Sequence, residues 1–141
     1  MSRIFWDTNL FVYLIEDFGP LSARVVVLRT RMLERGDQLL TSALTLGEVL
    51  VKPMEAGRED LQHTYEEALS TAAVIVPFDE RAAMAYARIR KDRSIRPPDA
   101  IQLACASHAG VDLFITNDDR LSQKTVAGIH FVSSLQHAPV R

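Results

Sequence analysis

Apolar residues fall along this chain in short runs separated by longer polar-and-apolar stretches of helical period. Ile4-Phe5-Trp6 has no polar alternation, which predicts a strand buried on both faces of a sheet. Asp7-Thr8-Asn9 breaks that run with capping side chains, and Leu10 to Glu16 continues as a helix. After Gly19-Pro20, a second helix spans Leu21 to Arg35 and stops at Gly36. Gln38 to Thr41 reads as the next strand, and Ser42 caps a helix through Val51 that Pro53 ends. Arg58 to Ser70 is a further helix and Ala73 to Val76 a third strand. Asp79 caps a helix through Lys91. Pro97-Pro98 introduces the helix Asp99 to Ala109, which Gly110 terminates. Asp112 to Thr116 and Ile129 to Val132 are the last strands, with a short helix near Asp119 between them.

Strands alternating with helices predict a doubly wound α/β fold. The expected architecture is a three-layer α/β/α sandwich around a parallel sheet of four to five strands. The 141 residues suit a single domain, 1–141, able to bury a core. No apolar run approaches the ~20 residues of a membrane span, and the N-terminus lacks a signal-peptide layout. A single cysteine, Cys105, in an apolar helix excludes an internal disulfide and suits a reducing cytoplasm. The net charge of −2 argues against nucleic-acid binding through a globally basic surface. Local patches remain, at Arg88 to Arg96 and at Arg24, Arg29, Arg31 and Arg35.

Four acids draw attention by position. Asp7 and Asp118 directly follow strands, and Glu48 lies early in the helix after the second strand. Ligands of open α/β sheets bind beyond the carboxyl ends of the strands, so topology puts these three on one rim. Asp99 opens a helix whose start could face either rim. Singly, Asp7 and Asp118 serve as helix caps, and Asp99 suits the positive end of a helix dipole. Glu48 is harder to explain. Leu44 and Val51 flank it at helical spacing, which predicts an inward face where an unpaired carboxylate is costly. A pair with Lys52 would be worth only ~0.3–0.5 kcal/mol. A bound cation would remove the cost. Asn9, Thr116 and Asn117 are candidates to orient a carboxylate or a water, or to form local turns. Arg90, Lys91, Arg93 and Arg96 serve either phosphate contact or the end of the preceding helix. The histidines show no zinc spacing, no glycine-rich phosphate loop follows a strand, and there is no nucleophile elbow.

The segments FWDTNLFVYLIE, TSALTLGEVLVKP, RPPDAIQLACA and FITNDDRL, in that order, resemble the PIN-domain ribonucleases, and most closely the toxins of VapBC-type toxin–antitoxin pairs. That resemblance implies an acidic quartet of Asp7, Glu48, Asp99 and Asp118 holding Mg²⁺ or Mn²⁺, and brings Asp99 to the common rim. Asp119 duplicates the last acid. The resemblance further implies RNA as substrate, a homodimer, and inhibition by a small antitoxin. Carboxylates suit these hard cations, which would orient a water, lower its pKa and neutralise transition-state charge. Direct hydrolysis leaves a 5′-phosphate and a 3′-hydroxyl. The rivals are a non-catalytic RNA- or protein-binding module, a DNA-directed nuclease of the same fold, and a receiver-type signalling domain.

Overall fold

A computed structural model describes residues 1–140. The elements follow in the order β1 (Arg3–Trp6), α1 (Thr8–Ile15), α2 (Pro20–Arg35), β2 (Gln38–Ser42), α3 (Ala43–Glu55), α4 (Glu59–Ala72), β3 (Val74–Val76), α5 (Glu80–Ile89), α6 (Pro97–Ala109), β4 (Leu113–Thr116), α7 (Asp119–Ser122) and β5 (Phe131–Ser134). The sheet order is β3-β2-β1-β4-β5, with every neighbouring pair parallel. The α/β expectation holds, with five strands.

Period-two alternation explains the strand composition. In β1, Ile4 and Trp6 point into a core completed by α1 to α4, while Phe5 points into a second core beneath α5 and α6. Leu113 and Ile115 of β4 follow the first face and Phe114 the second. Phe5 and Phe114 stack across the β1–β4 pair with centroids 5.1 Å apart. Both faces being covered is why these strands are apolar throughout. Helix α6 is buried almost all round by Ala100, Leu103, Ala104, Cys105 and Ala106, small residues that let it lie between the sheet and α5.

Two element expectations need correction. Pro53 does not end α3, which runs on to Glu55. Only the amide of Pro53 itself is lost so near the end, and downstream groups still satisfy the turn, with Ala56 N donating to Lys52 O at 3.0 Å. The last strand starts at Phe131 rather than Ile129, because Ile129 N turns back to Val126 O and its side chain fills the core. Gly128, at φ 89°, makes that turn against α6. A Cβ there would stand 2.9 Å from the Ser107 carbonyl oxygen, so any side chain would clash.

Candidate active site

The connections set where the acids meet. β1 and β4 are sheet neighbours, and the chain leaves β1 toward β2 on one side and β4 toward β5 on the other. Their carboxyl ends therefore form the crevice where ligands of open α/β sheets bind. Asp7 follows β1 immediately, and Asp118 lies two residues beyond β4. Gly110, Val111 and Asp112 alone join α6 to β4. A link that short makes α6 antiparallel to β4 and returns its N-terminus, with Asp99 in the first turn, to the same rim. One cavity of about 160 Å³ is lined by Asp7, Glu48, Asp99 and Asp118 together with Thr8, Asn9, Pro98 and Gln102.

Asp7 forms the floor. Its Oδ1 accepts from Thr8 N at 2.9 Å and its Oδ2 from the Thr116 hydroxyl at 2.8 Å. Burial raises its pKa to about 6, with the charges of Asp99 and Glu48 adding to the rise despite those hydrogen bonds. Asp99 is also raised, first by burial and then by Asp118, against the lowering effect of Arg120 and Arg96. Asp118 is lowered instead, chiefly by Arg120, whose guanidinium reaches its two oxygens at 3.3 and 3.1 Å.

Glu48 does not face the core. It is exposed, and the buried face of α3 is formed by Thr45, Val49 and Pro53, while Val51 is 51% exposed. The inward reading took the wrong stripe of the helix, one position out of register. Glu48 reaches the cavity from the rim and makes no ion pair with Lys52 among the described residues. What fixes it is a polar network. The Thr8 hydroxyl donates to Glu48 Oε1 at 2.6 Å. Gln102 Nε2 donates to Thr8 Oγ1 at 2.9 Å and to Thr45 Oγ1 at 2.7 Å. Gln102 Oε1 accepts in turn from Ser42. Gln102, Thr45 and Ser42 are buried, so the bonds among them are made in a low-dielectric setting where a missing partner is costly, whereas the Thr8–Glu48 bond lies at the exposed rim.

Residues 4–127 match the PIN domain family. Ribonuclease VapC23 of Mycobacterium tuberculosis is 31% identical over 123 residues, which cover 84% of this chain and 95% of that protein. The chain belongs to the PIN-domain family. Solved structures share the fold. VapBC2 of Rickettsia felis, bound to a DNA fragment from their promoter, aligns with a TM-score of 0.74 at 13% identity, over 94% of this chain and 98% of that one. A DNA-bound VapBC of Salmonella typhimurium aligns with a TM-score of 0.67 at 19% identity, over 96% and 99%.

In this PIN domain the secondary candidates divide. Thr116 and Asn9 reach the site, the first through Asp7 and the second as cavity lining. Asn117 does not, because its amide turns to the Tyr13 hydroxyl at 3.1 Å. Asp118 faces the cavity, whereas Asp119 opens α7 on the exposed side. Arg90 is occupied with Ile95 O at 2.6 Å and closes the loop before α6. Arg96 acts on Asp99 through its charge, Lys91 lines a separate cavity, and Arg93 is exposed. Sequence reasoning missed Thr8, Gln102, Arg120 and Lys124. Thr8 adjoins Asp7 and Gln102 lies about one turn after Asp99, but the bond joining them spans 94 residues and follows only from the packing of α1, α3 and α6. No helix among the described residues is long and apolar enough to cross a membrane.

Proposed function

We propose that this PIN domain is a divalent-cation-dependent endoribonuclease, using Mg²⁺ or Mn²⁺, and the toxin of a toxin–antitoxin pair. The observation that carries the reading is the convergence of Asp7, Glu48, Asp99 and Asp118, from four separate segments, on one small cavity. A relative named as a ribonuclease and structural neighbours that are VapBC complexes support it.

The donor set fits a hard cation. It is entirely oxygen, and its deepest carboxyl, Asp7, has only a hydroxyl and an amide as direct partners against the repulsion of its neighbours. Among the described residues no three acid, histidine or cysteine side chains stand close enough to ligate one ion directly. Asp7, Asp99 and Asp118 would hold the ion partly through its waters, as Mg²⁺ ordinarily retains several. Once bound, the ion supplies charge neutralisation and an acidified water. The chain does the rest. Thr116 and Thr8 N keep Asp7 aimed into the cavity. The Thr8 hydroxyl occupies Glu48 Oε1 and leaves Oε2 to orient the attacking water and take its proton. The water oxygen bonds to phosphorus, the P–O3′ bond breaks, O3′ takes a proton from bulk water to leave as a hydroxyl, and the proton held by Glu48 returns to solvent.

The test is cleavage of RNA with Mn²⁺ by wild type, Asp7→Ala and Asp99→Ala, with single-stranded DNA alongside. The expected result is RNA cleavage to 5′-phosphate ends, abolished by EDTA and reduced at least ~100-fold by either substitution. Activity that survives EDTA or both substitutions would sink the reading. A cognate antitoxin would be expressed with this chain and would block that cleavage. A homodimer is expected of the full chain.

A further inference from the structure

A second cavity, of about 300 Å³, opens between α5, the loop that follows it and the segment after α7. Ile89, Ile95 and Val126 give it apolar walls. Arg88, Lys91 and Lys124 bring three cations to it, against the single carboxylate of Asp92. Lys124 is fixed in place, 2.9 Å from Asp92 Oδ2 and 2.7 Å from Ser94 Oγ. The ion pair of this cavity is therefore Lys124–Asp92, and Arg88 and Lys91 stand uncompensated among the described residues. The loop after α7 that closes it is held firmly, with the Ser107 hydroxyl donating to Ala127 O at 2.6 Å.

This cavity is linked to the acids through lining residues shared with a depression between them. The depression, of about 290 Å³, is lined by Ser94, Asp99, Asp118, Arg120 and Lys124; it shares Lys124 with this cavity, and Arg120 lies against Asp118 there at 3.1 Å. Asp99 and Asp118 line the acidic cavity as well. A trough thus runs from the four carboxylates, past Arg120 and Lys124, to an apolar hole with a cationic mouth. Apolar walls beside cations match a planar heteroaromatic ring joined to an anion, and a single-stranded nucleotide offers both. An acidic peptide could satisfy the cations, but following the trough would drive its carboxylates against Asp99 and Asp118. A polynucleotide is brought to those same acids by the cation that cleavage requires.

We propose that this cavity is a base-binding subsite. An unpaired RNA nucleotide flanking the scissile bond turns its base in among Ile89, Ile95 and Val126, and its neighbouring phosphates lie on Arg88, Lys91 and Arg120. This rests on the ribonuclease reading of the acids and adds the place where sequence is sensed. Recognition of splayed single-stranded bases is how proteins read RNA sequence in general.

The experiment is fluorescence anisotropy of the full chain with a labelled single-stranded RNA in EDTA, so that no cleavage intrudes. It compares wild type, Arg88→Gln/Lys91→Gln, and Ala85→Leu, which fills the cavity from α5. Each variant is expected to weaken RNA binding about tenfold, the double cation variant at unchanged melting temperature. The double cation variant should also flatten the salt dependence, with a slope change of about 1.4 on a log–log plot. Replacing single bases by abasic sites should cost wild type affinity at one position and cost Ala85→Leu nothing further there. Equal RNA affinity in all three proteins, or no position sensitive to base removal, overturns the subsite. So does unchanged RNA affinity accompanied by lost binding of the cognate antitoxin, which would give the cavity to a protein partner. Absence of Mn²⁺-dependent cleavage by wild type would strike the ribonuclease reading instead, and is read separately.

Discussion

Asp7 raises the free energy of the folded chain whenever it is ionised. Its pKa goes from 3.8 to about 6 on folding, so between those values the unfolded chain releases its proton first. Stability then falls as pH rises through that window and stays lowered above it; below about pH 4 both states are protonated and the effect vanishes. Asp7→Asn should therefore stabilise the cation-free protein at neutral pH by on the order of 2 kcal/mol, a shift that chemical denaturation would measure. The gain should disappear near pH 4, and cleavage should be lost. A variant no more stable than wild type at neutral pH would refute the buried-carboxyl description. Thr8 offers a second residue-scale prediction. Thr8→Val removes the hydroxyl that holds Glu48, so kcat should fall ~10–100-fold with little change in KM, and Thr8→Ser should restore it. Equal loss in both variants would show that the methyl group, not the hydroxyl, matters. The acids were legible in the sequence because each interrupts an apolar run or opens a helix. Their positioning groups were not, since a threonine and a glutamine carry no signal until packing buries them.

At the scale of elements, the helix starts are unequal in what they hold. Ser42 caps α3 through Thr45 N and also donates to buried Gln102, whereas Asp79 caps α5 at the surface through Ala82 N. Ser42→Ala should cost about 2 kcal/mol, a cap plus an unpaired buried amide oxygen, and Asp79→Ala about 1 kcal/mol. Denaturant melts of the two variants check this order, and a reversed order would contradict the buried network. Strand and helix identities were readable from periodicity, and their ends from Gly36, Ser42, Asp79 and Gly110. Pro53 misled because a proline near a helix end removes one bond without stopping the last turn. The rim on which Asp99 lies was left open by the sequence pattern and came only from the family resemblance; the three-residue link between α6 and β4 is what sets it. Topology placed Glu48 on the rim, where it lines the cavity, but the inward face expected of it was wrong. The expected apolar face ran through Leu44 and Val51, and the true one runs through Thr45 and Val49.

For the whole molecule, strand order is what brings four scattered acids to one cavity. Placing β1 beside β4 puts Asp7 and Asp118 on either side of one crevice, and α3 and α6 bring Glu48 and Asp99 to it. Arg120, on α7, reaches Asp118 only two residues away, whereas Lys124 comes near the acids through the packing of the loop after α7, which no local pattern encodes. The central claim is that these carboxylates form a single cation site, and RNA-free protein tests it most directly. Thermal melts at neutral pH, with Mn²⁺ titrated, should show a melting temperature that climbs with cation concentration by ~5 °C or more at saturation. That climb should be absent in Asp7→Asn/Asp99→Asn. An identical melting temperature with and without millimolar Mn²⁺, or the same climb in the double variant, would contradict the claim.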